Sequence, residues 1–230
     1  MTIDMEIQHG LHRPPDQLRD QLRTWIRAHF DLDESANLIN ELGFVNRHSG
    51  STIDSQFRAD LALVSNQLIA YEIKSGADSL RRWPAQCAAY QRVFDATWLC
   101  VHASHLTEAY DITPQSVGLI VVDDLGGLVL FRAAEANPRV DPYDLSGFLW
   151  REDLDSLCRQ HGIVGRTRQT KTQVRQRIAH DLPLAVIHAS VLEKLKRRGM
   201  VEFAGLPNQC ATKRSASLRA RLQSKEQAET

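Results

Sequence analysis

The sequence predicts an α/β protein, a mixed β-sheet flanked by helices and followed by an all-helical C-terminal extension. Three observations carry this. Two runs of strand composition, residues 57–64 and 69–74, are separated by the turn-forming Ser65-Asn66-Gln67, which reads as an antiparallel hairpin. Apolar strands then alternate with helical patterns as far as Arg132. Beyond Asp141 the large apolar residues recur only at helical spacing.

Taken in order, residues 1–15 are a polar lead-in ending in Pro14-Pro15. From Asp16 a helix places Leu18, Leu22, Trp25 and Ile26 on one face. A second helix is predicted over Ser35–Leu42, with Leu38, Ile39 and Leu42 inward and Gly43 as its stop. The hairpin follows, then a helix over Pro84–Phe94 with proline in its first turn. A strand at Thr97–His102 leads to a short helix near His105–Tyr110. Val117–Val122 and Leu128–Arg132 flank Asp124–Gly127 as a second hairpin. Three helices then carry Leu145, Phe148, Leu149, Leu154 and Leu157; Val174, Ile178 and Leu182; and, after Pro183, Leu184, Ile187, Val191 and Leu195. The expected layout is a core over 16–140, a helical basic region over 141–203 and a disordered tail over 204–230.

Hydrophobic residues make up 43% of the 230 and charged residues 24%, as in an ordinary globular protein. Net charge is zero but unevenly spread. Residues 1–150 hold 12 Lys and Arg against 20 Asp and Glu, and residues 151–230 hold 16 against 8. A basic end of this kind points to phosphate, and the bland alternative is a solvated helical surface. Cys87, Cys100, Cys158 and Cys210 form no C-x-x-C pair, which argues against a disulfide framework or structural zinc. With no apolar run of signal-peptide or membrane-spanning length, a cytoplasmic setting and no membrane partner are expected.

The chemistry-bearing residues are Arg58-Ala59-Asp60 on one strand of the first hairpin and Glu72-Ile73-Lys74 on the other. Residues two apart in a strand share a face, so Glu72 and Lys74 lie together, with Tyr71 and Ile73 opposite. The hairpin brings Asp60 near that face. Two adjacent carboxylates repel unless a cation lies between them, and oxygen ligands favour Mg²⁺ or Mn²⁺. Such an ion polarises a phosphodiester oxygen, and the Lys74 ammonium would orient the attacking water. The plain alternative is the solvated face of a hairpin.

Asp60, an 11-residue gap and then Glu72-Ile73-Lys74 resembles the D-(x)n-(D/E)-x-K signature of PD-(D/E)XK nucleases, with Ala59 in place of the family's proline. Gln86-Cys87-Ala88-Ala89-Tyr90 resembles the Q-x-x-x-Y motif of the RecB-like and lambda-exonuclease branch. The longer string through Ser75, Leu80-Arg81-Arg82 and Val93-Phe94-Asp95 resembles small bacterial and phage proteins of that superfamily. The resemblance covers roughly residues 16–200 and implies a restriction-endonuclease-like fold. It implies Asp60, Glu72 and Lys74 as catalytic residues and Glu41, Asp60, Glu72 and the Ile73 carbonyl around Mg²⁺ or Mn²⁺. Glu41 would lie on the helix before the hairpin. Arg58, Ser75, Gln86 and Tyr90 would meet substrate, although Tyr90 also fits the apolar core, Arg58 a carboxylate pair and Ser75 a strand-ending cap.

Residues 152–182 resemble the helix, extended loop and helix of SAP-type DNA-binding modules. Arg166, Arg168 and Lys171 would reach phosphate there, with Arg175 and Arg177 on the second helix. The structural alternative is a helix pair buried against the core. The expected function is metal-dependent hydrolysis of DNA, in repair or phage–host conflict. The competing readings are a catalytically silent DNA-binding protein and a regulatory partner on the same fold.

Overall fold

The structure, a computed structural model, describes residues 15–47, 54–163 and 168–204. Six strands form one mixed sheet in sequential order: β1 (Asn37–Arg47), β2 (Asp54–Val64), β3 (Leu68–Lys74), β4 (Ala96–His102), β5 (Gly118–Val122) and β6 (Leu128–Arg132). Pairing is antiparallel from β1 to β3, parallel from β3 to β5 and antiparallel between β5 and β6. The parallel pairs need crossovers, and α2 (Trp83–Tyr90) and α3 (Leu106–Ile112) supply them. The α/β class and both hairpins are therefore as the sequence predicts. Among the described residues no helix is long and apolar enough to cross a membrane.

Each face of the sheet has its own core. On one face α1 (Pro15–His29) buries Leu18, Leu22 and Ile26 against Leu61, Leu63, Tyr71, Ile73 and Trp98. On the other, Ala62, Leu68, Ala70 and Leu99 meet Trp83, Cys87 and Tyr90 of α2 and the C-terminal helices. Strands buried on both sides read as near-continuous apolar runs, and every residue of β3 is buried.

Three helix boundaries differ from expectation. Ser35–Leu42 is not a helix; Asn37–Arg47 is strand β1. The spacing of Leu38, Ile39 and Leu42 suits a helix, but β2 runs 11 residues and β1 pairs along its whole length, satisfying backbone groups that a helix would leave unpaired. Gly43 is a strand residue opposite Arg58, not a helix stop. The helix expected to reach Phe94 ends at Tyr90. The first C-terminal helix is broken into α4 (Pro142–Leu145), a 3₁₀ turn at Ser146–Phe148 and α5 (Arg151–Gln160). The Asp141 side chain caps α4 and the Asp153 carboxylate accepts from the Trp150 N–H, so the local caps override the single apolar stripe.

α6 (Lys171–Asp181) and α7 (Leu184–Ala204) are the last elements among the described residues. Leu145, Phe148, Leu154, Val174, Ile178, Ile187, Val191 and Leu195 belong to the same core as the α2 face of the sheet. Arg175, read from sequence as part of a basic helix face, is instead buried at 2% exposure. It stacks over Tyr143 at 4.0 Å and donates to the Tyr143 carbonyl oxygen at 3.0 Å. A guanidinium is buried only where such partners replace water. The chain divides into two units, residues 1–196 and 197–230, and the described part of the second is the end of α7. The predicted lead-in at 1–14 and the tail from 205 lie outside the described residues.

Candidate functional site

The sheet forks at the site. The ladder between β2 and β3 ends with Leu61 opposite Tyr71. β2 continues toward Asp54 beside β1, whereas β3 continues to Lys74 beside β4. Asp60 and Glu72 stand at the point of divergence, and the Asp60 carboxylate accepts the Ile73 N–H at 2.9 Å where no strand partner does.

The fork has a second cause on β1. Residues two apart in a regular strand share a face. Yet Ala59 and Leu42 belong to the core on the α2 face, while Leu61 and Leu38 belong to the core on the α1 face. The alternation therefore slips at Asp60 and near Glu41, which the register sets opposite each other: Asn40 faces Leu61 and Leu42 faces Ala59. Glu41 carries the slip with φ 53°.

The fork opens a cleft of about 720 Å³ lined by Glu41, Arg58, Asp60, Glu72, Ile73, Lys74 and Gln86. Seven of the residues singled out from sequence thus meet in one place. Inside it lies a buried network. Lys74 Nζ donates to Glu72 Oε1 at 2.6 Å and to Gln86 Oε1 at 3.2 Å, and Gln86 Nε2 donates to the same Glu72 oxygen at 2.7 Å. Glu72 is 2% exposed and Lys74 4%. Gln86 reaches them because it stands one helical turn before Tyr90 on α2, facing the sheet. Tyr90 takes the core position that its apolar stripe allowed, and its hydroxyl also reaches Glu72. Its ring packs between Phe44, Trp83 and Phe94, and its hydroxyl lies 2.5 Å from Glu72 Oε2 and 2.7 Å from the Arg58 carbonyl oxygen. One hydroxyl proton serves only one of these two acceptors at a time.

Burial, and then the neighbouring Glu72 charge, push the Asp60 carboxyl up to about 6. The backbone N–H of Ile73, Lys74 and Arg19 oppose that rise without cancelling it. Burial and Glu72 likewise raise the Tyr90 phenol, keeping it protonated. The pair of acids is thus short of positive charge.

Several expected residues differ from the sequence reading in element, place or partner. Glu41 lies on β1, not on a helix, and its carboxylate meets Arg58 Nη1 at 3.0 Å and Arg19 Nη2 at 3.4 Å. Ser75 lines a separate small hollow, and its N–H and hydroxyl both donate to Asp78 Oδ2, at 2.8 and 2.6 Å, which makes it the cap at the end of β3. Arg166 lies outside the described residues. Arg168 has φ 68°, and Lys171 opens α6, where Thr170 and Gln173 cap the helix reciprocally. Among the described residues, no group of three or more His, Cys, Asp or Glu is gathered for a metal.

Sequence reasoning missed Arg19, Asp78, Arg81 and Arg82, which also line the cleft. Arg81 and Arg82 sit in a 3₁₀ turn opened by Ser79, whose hydroxyl accepts the Arg81 N–H at 3.2 Å. Their place in the Leu-Arg-Arg string was visible. Arg19 gave no signal, because only the docking of α1 brings it to β1.

Residues 19–215 match the family model described as bacteriophage P4 protein cII. The chain is 26% identical over 166 residues to protein cII of Enterobacteria phage P4, a match covering 71% of this chain and 60% of that relative. A solved protein of unknown function from Silicibacter pomeroyi aligns with 68% of this chain and 98% of its own, at 16% identity and a TM-score of 0.39, a likeness too distant to bear on fold or function. On the extent of the family match, the chain belongs to the bacteriophage P4 protein cII family.

Proposed function

We propose that this chain is a metal-dependent nuclease that hydrolyses DNA phosphodiester bonds, of the PD-(D/E)XK type. The observation that carries the reading is the convergence of Asp60, Glu72 and Lys74 in one cleft beside Arg19, Arg58, Arg81 and Arg82. A buried Glu72 and a half-buried Asp60 beside a rim of guanidiniums suit a ligand that brings both cations and phosphates.

The donor set fits a hard divalent cation. Asp60 spends Oδ2 on the Ile73 N–H, and among the described residues Glu72 Oε2 meets only the Tyr90 hydroxyl. Asp60 and Glu72 would hold Mg²⁺ or Mn²⁺, which needs only one or two carboxylates when water and phosphate complete its shell. Bound there, the ion supplies a Lewis acid that polarises the phosphodiester and acidifies water. Lys74 holds Glu72 in place and presents an ammonium where a water would be aligned and charge would grow. Gln86 fixes both Lys74 and Glu72. The arginines of the rim would contact backbone phosphates, and Arg168 and Lys171 would extend that contact along the basic C-terminal region.

The test is incubation of the purified chain with plasmid, linear and single-stranded DNA in Mg²⁺ and in Mn²⁺. Wild type should cleave at least one of these, and Asp60→Asn and Glu72→Gln should not. If no metal supports cleavage while DNA still binds in a salt-dependent way, the chain is a DNA-binding protein with a silent site.

A further inference from the structure

Glu41 adopts φ 53° inside a strand, and neither a hairpin nor a terminus requires it there. A left-handed conformation is strained for a residue with a side chain, because Cβ crowds the following carbonyl oxygen. The surroundings hold it. Arg23 donates to the Leu38 carbonyl oxygen at 3.1 Å and to Asn40 Oδ1 at 2.7 Å, so α1 grips β1 just before the slip. The result places the Glu41 carboxylate at the mouth of the cleft, against Arg58 from β2 and Arg19 from α1. Two guanidiniums converging from different elements repel unless an anion lies between them, and carboxylate and phosphate offer the guanidinium fork the same oxygen acceptors.

We propose that Arg19 and Arg58 form a phosphate-binding clamp whose seat is held by the Glu41 carboxylate, so that a nucleic-acid phosphate enters by displacing Glu41. The Arg58 and Glu41 side chains are 61% and 43% exposed, so the pair is solvent-screened and readily exchanged. The clamp gives Glu41 a positioning and gating role in place of metal ligation. It rests on reading the cleft as a nucleic-acid site, and the two ideas fail separately.

The experiment measures binding of a short fluorescent single-stranded DNA in EDTA, with inorganic phosphate as competitor, and Mg²⁺ binding by thermal shift. Glu41→Gln keeps the shape and removes the charge. It should tighten oligonucleotide and phosphate binding about two- to fivefold, the scale of exposed ion pairs released. It should leave the Mg²⁺ shift unchanged. Arg58→Gln should weaken binding and flatten the salt dependence by about 0.7 in slope. Glu41→Gln added to Arg58→Gln should lose most of its gain. Glu41→Gly, which suits the positive φ, should raise the melting temperature and tighten binding in the same direction. Unchanged DNA and phosphate affinity in Glu41→Gln would overturn the clamp, and a reduced Mg²⁺ shift would overturn it and restore Glu41 as a metal ligand. A wild type that binds neither probe would overturn the clamp too. Wild type that cleaves no DNA, with Glu41→Gln binding more tightly, keeps the clamp and removes the nuclease reading.

Discussion

Lys74 and Glu72 are a buried ion pair at 2.6 Å, which decides how each can be tested. Removing Lys74 alone leaves the Glu72 charge uncompensated in the core. Lys74→Ala should therefore destabilise the fold by about 3–5 kcal/mol, read by urea denaturation. The double change Glu72→Gln with Lys74→Met should recover most of that loss. Equal stability of wild type and Lys74→Ala would mean that Glu72 finds another cation. Asp60 behaves in the opposite sense. Its folded pKa of about 6 lies above the ordinary 3.8, so the folded chain binds that proton more tightly than the unfolded chain does. The associated stability is complete below about pH 4 and is lost as pH rises through 6. The cost above pH 6 is on the order of 2 kcal/mol, discounted because the group is partly solvated. Asp60→Asn, which still offers an oxygen to the Ile73 N–H, should melt higher than wild type at pH 8 and level with it near pH 4. On the proposed metal site, Mg²⁺ should raise the melting point of wild type and leave that of Asp60→Asn unchanged. A lower melting point for Asp60→Asn at pH 8 would contradict the burial argument.

At the scale of elements, the irregular part of β1 makes the cleft and the regular part anchors the C-terminal helices. Asn46 on β1 is buried and donates to the Ala89 carbonyl oxygen of α2 at 2.9 Å. The Arg47 N–H donates to Asp144 at 2.9 Å, and Arg92 makes a close ion pair with the same carboxylate. Asp144 is fully buried, yet both its oxygens are engaged, as a buried charge requires. Gly147 closes the contact. A Cβ there would stand 2.6 Å from the Val45 carbonyl oxygen, and backbone cannot swing aside. Gly147→Ala should cost about 1–3 kcal/mol through overpacking. A thermal melt unchanged by that substitution would show that the 3₁₀ turn can slide away from β1.

Over the whole molecule, the helices beyond Asp141 are not an appendage to a finished core. Leu145, Phe148, Leu154, Val174 and Ile178 share one apolar cluster with Phe44, Tyr90 and Leu99. Truncation after residue 140 should strip that face and leave a chain that binds a hydrophobic dye and melts without a cooperative transition. A sharp melt in the truncated chain would show that residues 16–140 fold alone. The basic end still has surface to spare, since Arg168 and Lys171 are exposed. Neutralising Arg166, Arg168 and Lys171 together should weaken DNA binding and flatten its salt slope, and an unaltered slope would exclude this loop from the interface.

Local chemistry made much of this readable from sequence. Strand composition and the Ser65-Asn66-Gln67 turn define the first hairpin, and alternation along β3 sets Glu72 and Lys74 on one side with Tyr71 and Ile73 on the other. Helical spacing puts Gln86 and Tyr90 on one face of α2. These are short-range consequences of backbone geometry, so residue order determines them. β1 was not readable, because an apolar triplet at 38, 39 and 42 suits a helix until β2 arrives as a partner. Neither was the fork, since a slip in alternation at Asp60 depends on Glu41 across the ladder and on α1 holding β1 from above. Arg19 reaches the cleft and Arg175 leaves the surface for the same reason. Each is placed by packing between elements far apart in the chain, where long-range pairing and burial outweigh local preference.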